Sequence, residues 1–231
     1  MSGAVDPALA AAIKTLPAPG VLIGHRVIQP GDDSALLETE VRTVTAAIAE
    51  KRRASGAARI VGRALLRELG VPEQAIPKRV SGAPLWPDGI TGSFAHDHLV
   101  AVAAAGLTRD VGALGIDIEP AVALPADMLD LVTTPNERIG IDGDPLRGRV
   151  STPNERIGID GDPLRGRVLF VVKEAVYKAV HPLDGKFLDY HDIDVDLAAR
   201  KAVTRTGRTV DIRYCVSSHI VAVAWKSRFH A

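Results

Sequence analysis

The segment GIDIE at residues 115–119 decides the fold, because its apolar and acidic residues alternate with the two-residue period of a β-strand. Ile116 and Ile118 would point into a core, and Asp117 and Glu119 would project together from the opposite face. Adjacent carboxylates repel each other unless a cation lies between them, and oxygen ligands suit magnesium or manganese. Acidic residues on an exposed edge strand would give the same pattern, so the strand alone leaves both interpretations open.

A second charged motif, KEAVYK at residues 173–178, follows the apolar run LFVV at residues 169–172. Glu174 and Lys178 are four residues apart and would share one face of a helix. The simplest interpretation is a surface ion pair, which contributes only about 0.3–0.5 kcal/mol. The apolar run indicates instead a largely buried helix, where unpartnered charges are costly. Glu174 would then add a third carboxylate, and Lys178 would bind a phosphate oxygen of a metal-bound diphosphate.

The motif GSFAH at residues 92–96 offers contacts for a phosphate group. Small residues at Gly92 and Ser93 would let a ligand approach the backbone closely, and Ser93 and His96 both carry side chains that bind phosphate. A single histidine is more often structural than functional, so a structural role for His96 stays open. His98 follows two residues later and competes with His96 for any role in the site.

Hydrophobic periodicity along the rest of the chain predicts an α+β fold with two halves. Helical spacing runs from Leu36 to Leu69 and from Leu169 to Val180. Strands are predicted at residues 20–28, 99–105, 114–118, 187–195, 209–216 and 219–226. We therefore expect an N-terminal half at residues 1–110 and a C-terminal half at residues 111–231, with the boundary near the glycines from Gly106 to Gly112.

The composition of the 231 residues is that of a globular protein, with 46% hydrophobic and 24% charged residues. Basic and acidic residues number 28 each, so bulk charge does not indicate a nucleic-acid or membrane partner. The sequence has neither an apolar stretch long enough to span a bilayer nor a secretory signal, which predicts a cytoplasmic protein. The single cysteine, Cys215, excludes an intrachain disulfide and is expected to be a buried thiol rather than a nucleophile.

A tandem repeat interrupts the chain between the two charged motifs. Residues 133–150 (TTPNERIGIDGDPLRGRV) recur at residues 151–168 with one difference, Thr133 against Ser151. Two copies are too few for a solenoid, which needs about three repeats, and the prolines and glycines predict a surface insertion. Each copy contains an Asp-Gly-Asp sequence, for which a solvated turn is the simplest interpretation and a metal site the alternative: Asp142/Asp144 and Asp160/Asp162.

Four motifs resemble the Sfp/EntD-type 4′-phosphopantetheinyl transferases, in particular their actinobacterial, siderophore-type branch. They are the arginine-rich helix at residues 51–63, WPDGITGSFAH at residues 86–96, GIDIE, and KEAVYKA at residues 173–179. The resemblance implies the fold of that family, with two pseudo-symmetric α+β halves in one chain. It implies transfer of the 4′-phosphopantetheine arm of coenzyme A to a serine of an acyl or peptidyl carrier protein, with release of adenosine 3′,5′-bisphosphate. Magnesium (or manganese) would be the cofactor, and the protein would be a monomer without nucleic-acid or membrane partners.

The resemblance also implies a role for each residue of the acidic strand and the KEAVYK helix. Asp117, Glu119 and Glu174 match the magnesium ligands of the family. Lys178 resembles the lysine that binds the diphosphate of coenzyme A. Glu174 is the candidate base for the serine proton, so Glu174 and Lys178 are the predicted catalytic residues.

Contacts to the 3′-phosphate of coenzyme A are implied for residues of the N-terminal half. His96 and Ser93 match the histidine motif of the family, and Lys78 matches a lysine that some members use on the same ligand. Arg53 and Arg59 resemble a pair of basic residues that hold this phosphate.

The arginine assignment departs from the family pattern. Ser55-Gly56 stands where members usually carry an acidic-aromatic pair, and the spacing from Arg53 to the next arginine is one residue shorter than in the family. Arg52 and Arg63 therefore compete with Arg53 and Arg59 for the two roles.

Two other functions remain open from the sequence. The first is a coenzyme A-binding homologue that lacks transfer activity because the repeat displaces Glu174, and the second is another magnesium-dependent enzyme that acts on diphosphates. A scaffold role explains neither the acidic strand nor the KEAVYK helix. The repeat precedes that helix, so we expect the extra copy to affect carrier binding more than coenzyme A binding.

Overall fold

Two antiparallel sheets, each packed against one long helix, form the part of the chain that the computed structural model describes, residues 4–44, 48–142 and 162–228. The first sheet contains β1 (Val21–Val27), β2 (Ile90–His96) and β3 (Val100–Leu107), in the order β1-β3-β2. The helices of this part are α1 (Pro7–Lys14), α2 (Glu38–Thr43) and α3 (Ala49–Glu68). Helix α3 packs against β1 and β3 and covers one face of the sheet.

The second sheet consists of β4 (Val111–Pro120), β5 (Ile193–Asp196), β6 (Lys201–Thr204), β7 (Thr209–Val216) and β8 (His219–Ser227), in the order β4-β8-β7-β6-β5. Helices α4 (Ala126–Val132), α5 (Pro135–Asp142) and α6 (Arg165–Asp184) lie between β4 and β5 in sequence, and α6 packs against β4 and β8. Strand β2 also contacts β4, so the two sheets meet there. The α+β class predicted from the sequence is confirmed.

Strand β4 divides its side chains between two faces, as the alternation in its sequence predicts. Leu114, Ile116 and Ile118 are buried in a core that also contains residues of α1, β3 and β8. On the other face Ala113 packs with residues of α6, and Asp117 is buried. Although β4 is an edge strand of its sheet, burial of Asp117 excludes a solvent-exposed position for that residue, and Glu119 is half-buried.

Gly115 is a point of very close approach between β4 and α6. A Cβ atom at this position would lie 2.0 Å from the carbonyl oxygen of Ala175 and 2.6 Å from the backbone nitrogen of Ala179. Both are helix backbone atoms, which cannot rotate away as a flexible side chain can. The glycine of GIDIE therefore sets how near the α6 side chains come to Asp117.

Most of the predicted elements are present. The strands predicted at residues 20–28, 99–105, 114–118, 209–216 and 219–226 correspond to β1, β3, β4, β7 and β8, and the helix at 169–180 corresponds to α6. The helical stretch from Leu36 to Leu69 is divided into α2 and α3, and the sequence analysis missed α1, α4, α5, β2 and β6.

The strand predicted at residues 187–195 is wrong over its first part. The backbone forms a 3-10 turn at Tyr190–Asp192, and the paired strand begins only at Ile193, the first residue of β5. The Asp189 carboxylate accepts a hydrogen bond from the backbone N–H of Tyr190 at 2.7 Å, which starts the turn. A local side-chain to backbone bond thus overrides the strand-like composition of the segment.

The outer ends of the tandem repeat belong to the packed structure, so the prediction of a surface insertion is wrong for them. Thr133, Thr134 and Glu137 at the start of the first copy are buried, and so is Val168 at the end of the second copy. The interpretation of the Asp-Gly-Asp sequences as turns depends on residues 143–161, which lie outside the described residues.

Cys215 is buried on β7, as predicted. Burial raises the pKa of its thiol to about 11, which keeps the sulfur protonated and unreactive near neutral pH. Among the residues described, no helix combines the length and the apolar character needed to cross a bilayer.

Candidate active site

Strand β4 and helix α6 bring the two charged motifs of the sequence together. Lys178 Nζ lies 2.6 Å from Asp117 Oδ1 and donates a hydrogen bond to it. Lys178 thus pairs with the strand rather than with Glu174, its neighbour on the same helix. The second oxygen of Asp117, Oδ2, is buried and has no hydrogen-bond partner within the described ranges.

The two other predicted metal ligands are held by different donors. Arg167 Nη1 lies 3.4 Å from Glu119 Oε2, and the Tyr190 hydroxyl donates a hydrogen bond to Glu174 Oε1 at 2.7 Å. As these side chains stand, no group of three or more His, Cys, Asp or Glu residues in the described part of the chain could hold a metal ion.

The three carboxylates are nevertheless close enough to affect one another's ionisation. Burial raises the pKa of Asp117 to about 6; Lys178 opposes the rise, and the charges of Glu174 and Glu119 add to it. Burial also raises the pKa of Glu119, against the effect of Arg167 and with a further increase from Glu174. A site that concentrates negative charge in this way favours a bound cation.

The chemistry of this cluster fits a magnesium ion, provided that side chains exchange partners. Carboxylate oxygens are the ligands that magnesium prefers, and Asp117 Oδ2 is a desolvated oxygen that a cation would satisfy. Because no three-carboxylate group is preformed, an ion would have to take Asp117 from Lys178 and Glu119 from Arg167, the donors that now hold them. The assignment of Asp117, Glu119 and Glu174 as metal ligands stays a prediction.

A cleft with a volume of about 690 Å³ lies between residues 79–94 and residues of β4 and α6. The first group includes Trp86, Gly92, Ser93 and Phe94, and the second includes Leu114, Tyr177, Lys178 and Pro182. Lys178 therefore belongs both to the cleft and to the acidic cluster. A Cβ atom at Gly92 would lie 2.4 Å from the Trp86 ring, so packing against Trp86 requires the small residue there.

Three predicted phosphate ligands of the N-terminal half interact through their charges. His96 is exposed at the end of β2. Its pKa is lowered because neighbouring atoms displace part of its hydration, and the charges of Lys178 and Lys78 lower this pKa further. The pKa of Lys78 is lowered by loss of hydration and then by the charge of Arg59. Clustered basic groups of this kind suit a polyanionic ligand. Ser93, also on β2, is buried.

Arg59 has an environment that leaves one buried donor unpaired within the described ranges. Its side chain is buried, lies over the Phe94 ring at 5.1 Å, and donates from Nε to the carbonyl oxygen of Ile76 at 3.2 Å. Its Nη2 atom has no hydrogen-bond partner among the described residues. A buried guanidinium with an unused donor is well suited to bind an anion.

The other arginines of α3 differ from Arg59. Arg63 is buried against Glu40, with its Nη1 atom 3.0 Å from Glu40 Oε2, and this pair joins α2 to α3. Arg63 is therefore committed to a structural contact. Arg52 and Arg53 are half-buried, and the described contacts join neither of them to Lys78. The assignment of Arg53 and Arg59 to the 3′-phosphate stays a prediction, with Arg59 the better supported.

Tyr190 and Arg167, which hold two of the carboxylates, were missed by the sequence analysis. Tyr190 lies in the segment that was predicted as a strand, and Arg167 lies in the repeat that was predicted as a surface insertion. Lys173 was seen in its motif but given no role, although it is completely buried. An ammonium within an apolar helix must find partners, and this requirement was the available signal.

Comparison with known proteins defines the class of this molecule. The family model of the 4′-phosphopantetheinyl transferase N-terminal domain matches residues 39–106, and the family model of the 4′-phosphopantetheinyl transferase superfamily matches residues 113–224. The two models together cover most of the chain, which therefore belongs to the 4′-phosphopantetheinyl transferase superfamily.

Three relatives carry the name of this family. The chain is 34% identical to the 4′-phosphopantetheinyl transferase Svp of Streptomyces mobaraensis, over 74% of the chain and 65% of the relative. It is 32% identical to Npt of Nocardia iowensis, over 68% of the chain and 64% of the relative. It is 33% identical to PptT of Mycobacterium tuberculosis, over 69% of the chain and 64% of the relative. The chain thus spans slightly less than two thirds of these relatives, and the predicted resemblance to Sfp-type actinobacterial transferases is confirmed.

Proposed function

We propose that the chain transfers the 4′-phosphopantetheine arm of coenzyme A to a serine of an acyl or peptidyl carrier protein. Family membership supports this proposal, and so do the names of the three relatives. The observation that carries it is the position of Lys178, which lines the cleft and also contacts Asp117. A diphosphate bound in the cleft beside Lys178 would lie next to carboxylates that can hold a cation.

The two halves would bind different ends of coenzyme A. In the proposed division, residues 1–110 contact the 3′-phosphate, and residues 111–231 contact the diphosphate and the magnesium ion. Arg59 supports this division through its unused Nη2 donor, and Lys78 and His96 support it through their mutual charge effects. Ser93 and Arg53 belong to the proposed set by their motif positions.

Asp117, Glu119 and Glu174 are the proposed magnesium ligands. A magnesium ion bound there would polarise the attacked phosphoryl group and neutralise charge on the leaving group. Lys178 would release Asp117 and donate its hydrogen bond to a diphosphate oxygen instead, because an ammonium group can donate to a phosphate as well as to a carboxylate. This exchange would need little movement of Lys178, because the residue lines the cleft and its ammonium lies 2.6 Å from Asp117 of the acidic cluster.

Glu174 is the proposed general base, acting directly or through a water molecule. The carrier serine oxygen forms a bond to the phosphorus that bears the pantetheine arm, and the serine proton passes to Glu174. The bond from that phosphorus to the bridging oxygen breaks, and adenosine 3′,5′-bisphosphate leaves with the electron pair. Each product follows from the two substrates without a further reactant.

A panel of apo carrier proteins tests the proposal. Siderophore, polyketide, peptide and fatty-acid carriers are each incubated with the protein, coenzyme A and magnesium chloride, and intact mass is measured. We expect at least one carrier to gain the mass of one phosphopantetheine group, in parallel with the release of adenosine 3′,5′-bisphosphate. No mass gain on any carrier, when an active transferase modifies all of them in the same assay, would contradict the proposal.

One observation favours a second candidate, a coenzyme A-binding homologue without transfer activity. Each carboxylate of the cluster has its own donor, and no three of them form a preformed metal group in the described ranges. Such a protein would bind coenzyme A and modify none of the carriers. Binding and mass measurements on the same preparation separate the two candidates.

A further inference from the structure

Lys173 and Glu174 are adjacent in sequence, but their side chains enter different environments. Successive residues of an α-helix are about 100° apart around the axis, so neighbours face different sides. Lys173 is completely buried and donates hydrogen bonds to the Val132 carbonyl at 2.8 Å, Glu137 Oε2 at 2.7 Å and the Tyr190 carbonyl at 3.0 Å. Glu174 is only half-buried and influences the pKa of Asp117.

Tyr190 connects these two environments. Its carbonyl oxygen accepts the hydrogen bond from Lys173, and its hydroxyl donates to Glu174 Oε1 at 2.7 Å. Its ring packs against Phe170 at 5.6 Å, and Asp189 caps the turn in which it lies. Backbone, ring and hydroxyl of Tyr190 are therefore all held, and the hydroxyl has a fixed position relative to α6.

The hydrogen bond from Tyr190 has a direct consequence for Glu174. Within the described ranges it is the one hydrogen bond that the Glu174 carboxylate accepts, so it is the one directional contact that orients that group. With Oε1 held by Tyr190, Oε2 accepts no hydrogen bond in the same part of the chain, and the charge of Glu174 acts on Asp117 of the cluster. Glutamate side chains have three rotatable bonds, and an unrestrained carboxylate would lose this orientation.

We propose that Tyr190 is a positioning residue for Glu174: its hydroxyl fixes Oε1 and presents Oε2 to the cation. This inference rests on the proposed transferase function. Lys173 supports the arrangement from the opposite side, because it fixes the backbone of the turn that carries Tyr190. Groups that orient a metal ligand through a hydrogen bond commonly contribute about 10-fold or more to metal affinity or activity.

The test compares Tyr190→Phe with Tyr214→Phe in the 231-residue protein. Tyr190→Phe keeps the ring that packs on Phe170 and removes only the hydroxyl. Tyr214 lies exposed on β7 and is the matched control. The measurements are Tm, kcat and KM for coenzyme A, and the dissociation constant of Mn²⁺ in the absence of coenzyme A, from electron paramagnetic resonance.

We expect Tyr190→Phe to retain a cooperative unfolding transition and a KM for coenzyme A within about twofold of the wild type, because it leaves the proposed coenzyme A contacts intact. Its kcat should fall about 10-fold or more, and its Mn²⁺ dissociation constant should rise by a similar factor. Tyr214→Phe should match the wild type in every measurement. A purely structural role for Tyr190 would lower Tm without separating kcat from KM.

A double-mutant cycle then shows whether Tyr190 acts through Glu174. If it does, adding Tyr190→Phe to Glu174→Gln leaves Mn²⁺ affinity unchanged, whereas independent effects would add. Equal Mn²⁺ affinity in Tyr190→Phe and the wild type, or an additive cycle, overturns the inference. The Mn²⁺ measurements decide the matter even if the wild type modifies no carrier, so failure of the proposed function and failure of this inference are distinguishable. Absence of Mn²⁺ binding by the wild type also overturns it.

Discussion

Lys178 Nζ lies 2.6 Å from Asp117 Oδ1, so an ion pair joins α6 to β4 within the acidic cluster. The two residues are 61 positions apart in the chain. Lys178 is the proposed ligand of the coenzyme A diphosphate, and Asp117 is a proposed ligand of the cation. Both residues would therefore change partners when the substrate and the ion bind.

The effect of magnesium on stability should depend on the ionisation of Asp117. Burial raises the pKa of this carboxyl from 3.8 to about 6 in the folded protein. The shift contributes stability that is fully present below about pH 3.8 and is lost as the pH rises through about 6. Magnesium binds the ionised form, so the increase in Tm on adding magnesium chloride should be small at about pH 5 and larger at about pH 8.

Asp117→Asn is the control for this prediction, because its side chain cannot ionise. In that variant the magnesium-dependent increase in Tm should be reduced and should change less between the two pH values. A wild-type increase of the same size at both pH values would count against Asp117 as a metal ligand.

Gly115 should tolerate no larger residue, because its missing Cβ leaves room for the backbone of α6. Gly115→Ala would place a carbon 2.0 Å from the Ala175 carbonyl oxygen, and the helix would have to move. At Gly112, also on β4, an added Cβ would lie 3.4 Å from the flexible Arg228 side chain. We expect Gly115→Ala to lower Tm substantially and Gly112→Ala to have little effect. Similar Tm values for the two variants would show that β4 and α6 are not in close contact there.

The start of the first repeat copy, rather than the second, should support the buried Lys173. Glu137 Oε2 lies 2.7 Å from Lys173 Nζ, and both side chains are buried. Glu137→Gln leaves a buried charge without its counterion, which costs about 3 kcal/mol and lowers Tm by about 6–12 °C. Glu155 occupies the same position in the second copy, so Glu155→Gln is a matched control that should leave Tm unchanged.

Deletion of residues 133–150 reverses this expectation. The remaining copy then provides the only such glutamate, and Glu155→Gln in the deletion variant should lower Tm as Glu137→Gln does in the full chain. The deletion also tests whether the extra copy affects the carrier: the KM for the carrier protein should fall, and the KM for coenzyme A should stay the same. A destabilising Glu155→Gln in the full chain would assign the contact to the second copy instead.

Lys78 should contribute to coenzyme A binding through the 3′-phosphate alone. Its charge interacts with His96 and Arg59, and its side chain is exposed, so Lys78→Ala should leave the fold intact. We expect Lys78→Ala to weaken coenzyme A binding about 10-fold, as for loss of a hydrogen bond to a charged group, with little change for dephospho-coenzyme A. Binding of both ligands is measured by calorimetry, and Lys14→Ala, on α1, is the control variant. Equal losses for the two ligands would place Lys78 elsewhere on coenzyme A.

Local patterns were sufficient to predict the parts of the fold that depend on neighbouring residues. Alternation in GIDIE predicted that Ile116 and Ile118 are buried and that Asp117 lies on the opposite face of the strand. The apolar run before Lys173 predicted a largely buried helix, and Cys215 was predicted as a buried thiol. In each case the signal is the period of one element, which needs no knowledge of its partners.

Contacts between distant segments were beyond the same reasoning. The sequence placed Glu174 and Lys178 on one helical face but gave no reason for Lys178 to choose Asp117 or for Glu174 to choose Tyr190. Those choices depend on the approach of α6 to β4 at Gly115 and on a turn that Asp189 caps. Tertiary packing therefore decides the partners of the charged groups, whereas local pattern decides only their faces.

The most direct test of the central claim is carrier modification by Glu174→Gln, measured by intact mass together with coenzyme A binding by calorimetry. The substitution keeps the size of the side chain and removes both its charge and its capacity to accept the serine proton. The proposal predicts that the wild type modifies an apo carrier, and that Glu174→Gln does not modify it although it still binds coenzyme A. Full transfer activity in Glu174→Gln would contradict the assignment of Glu174 as the base and a metal ligand.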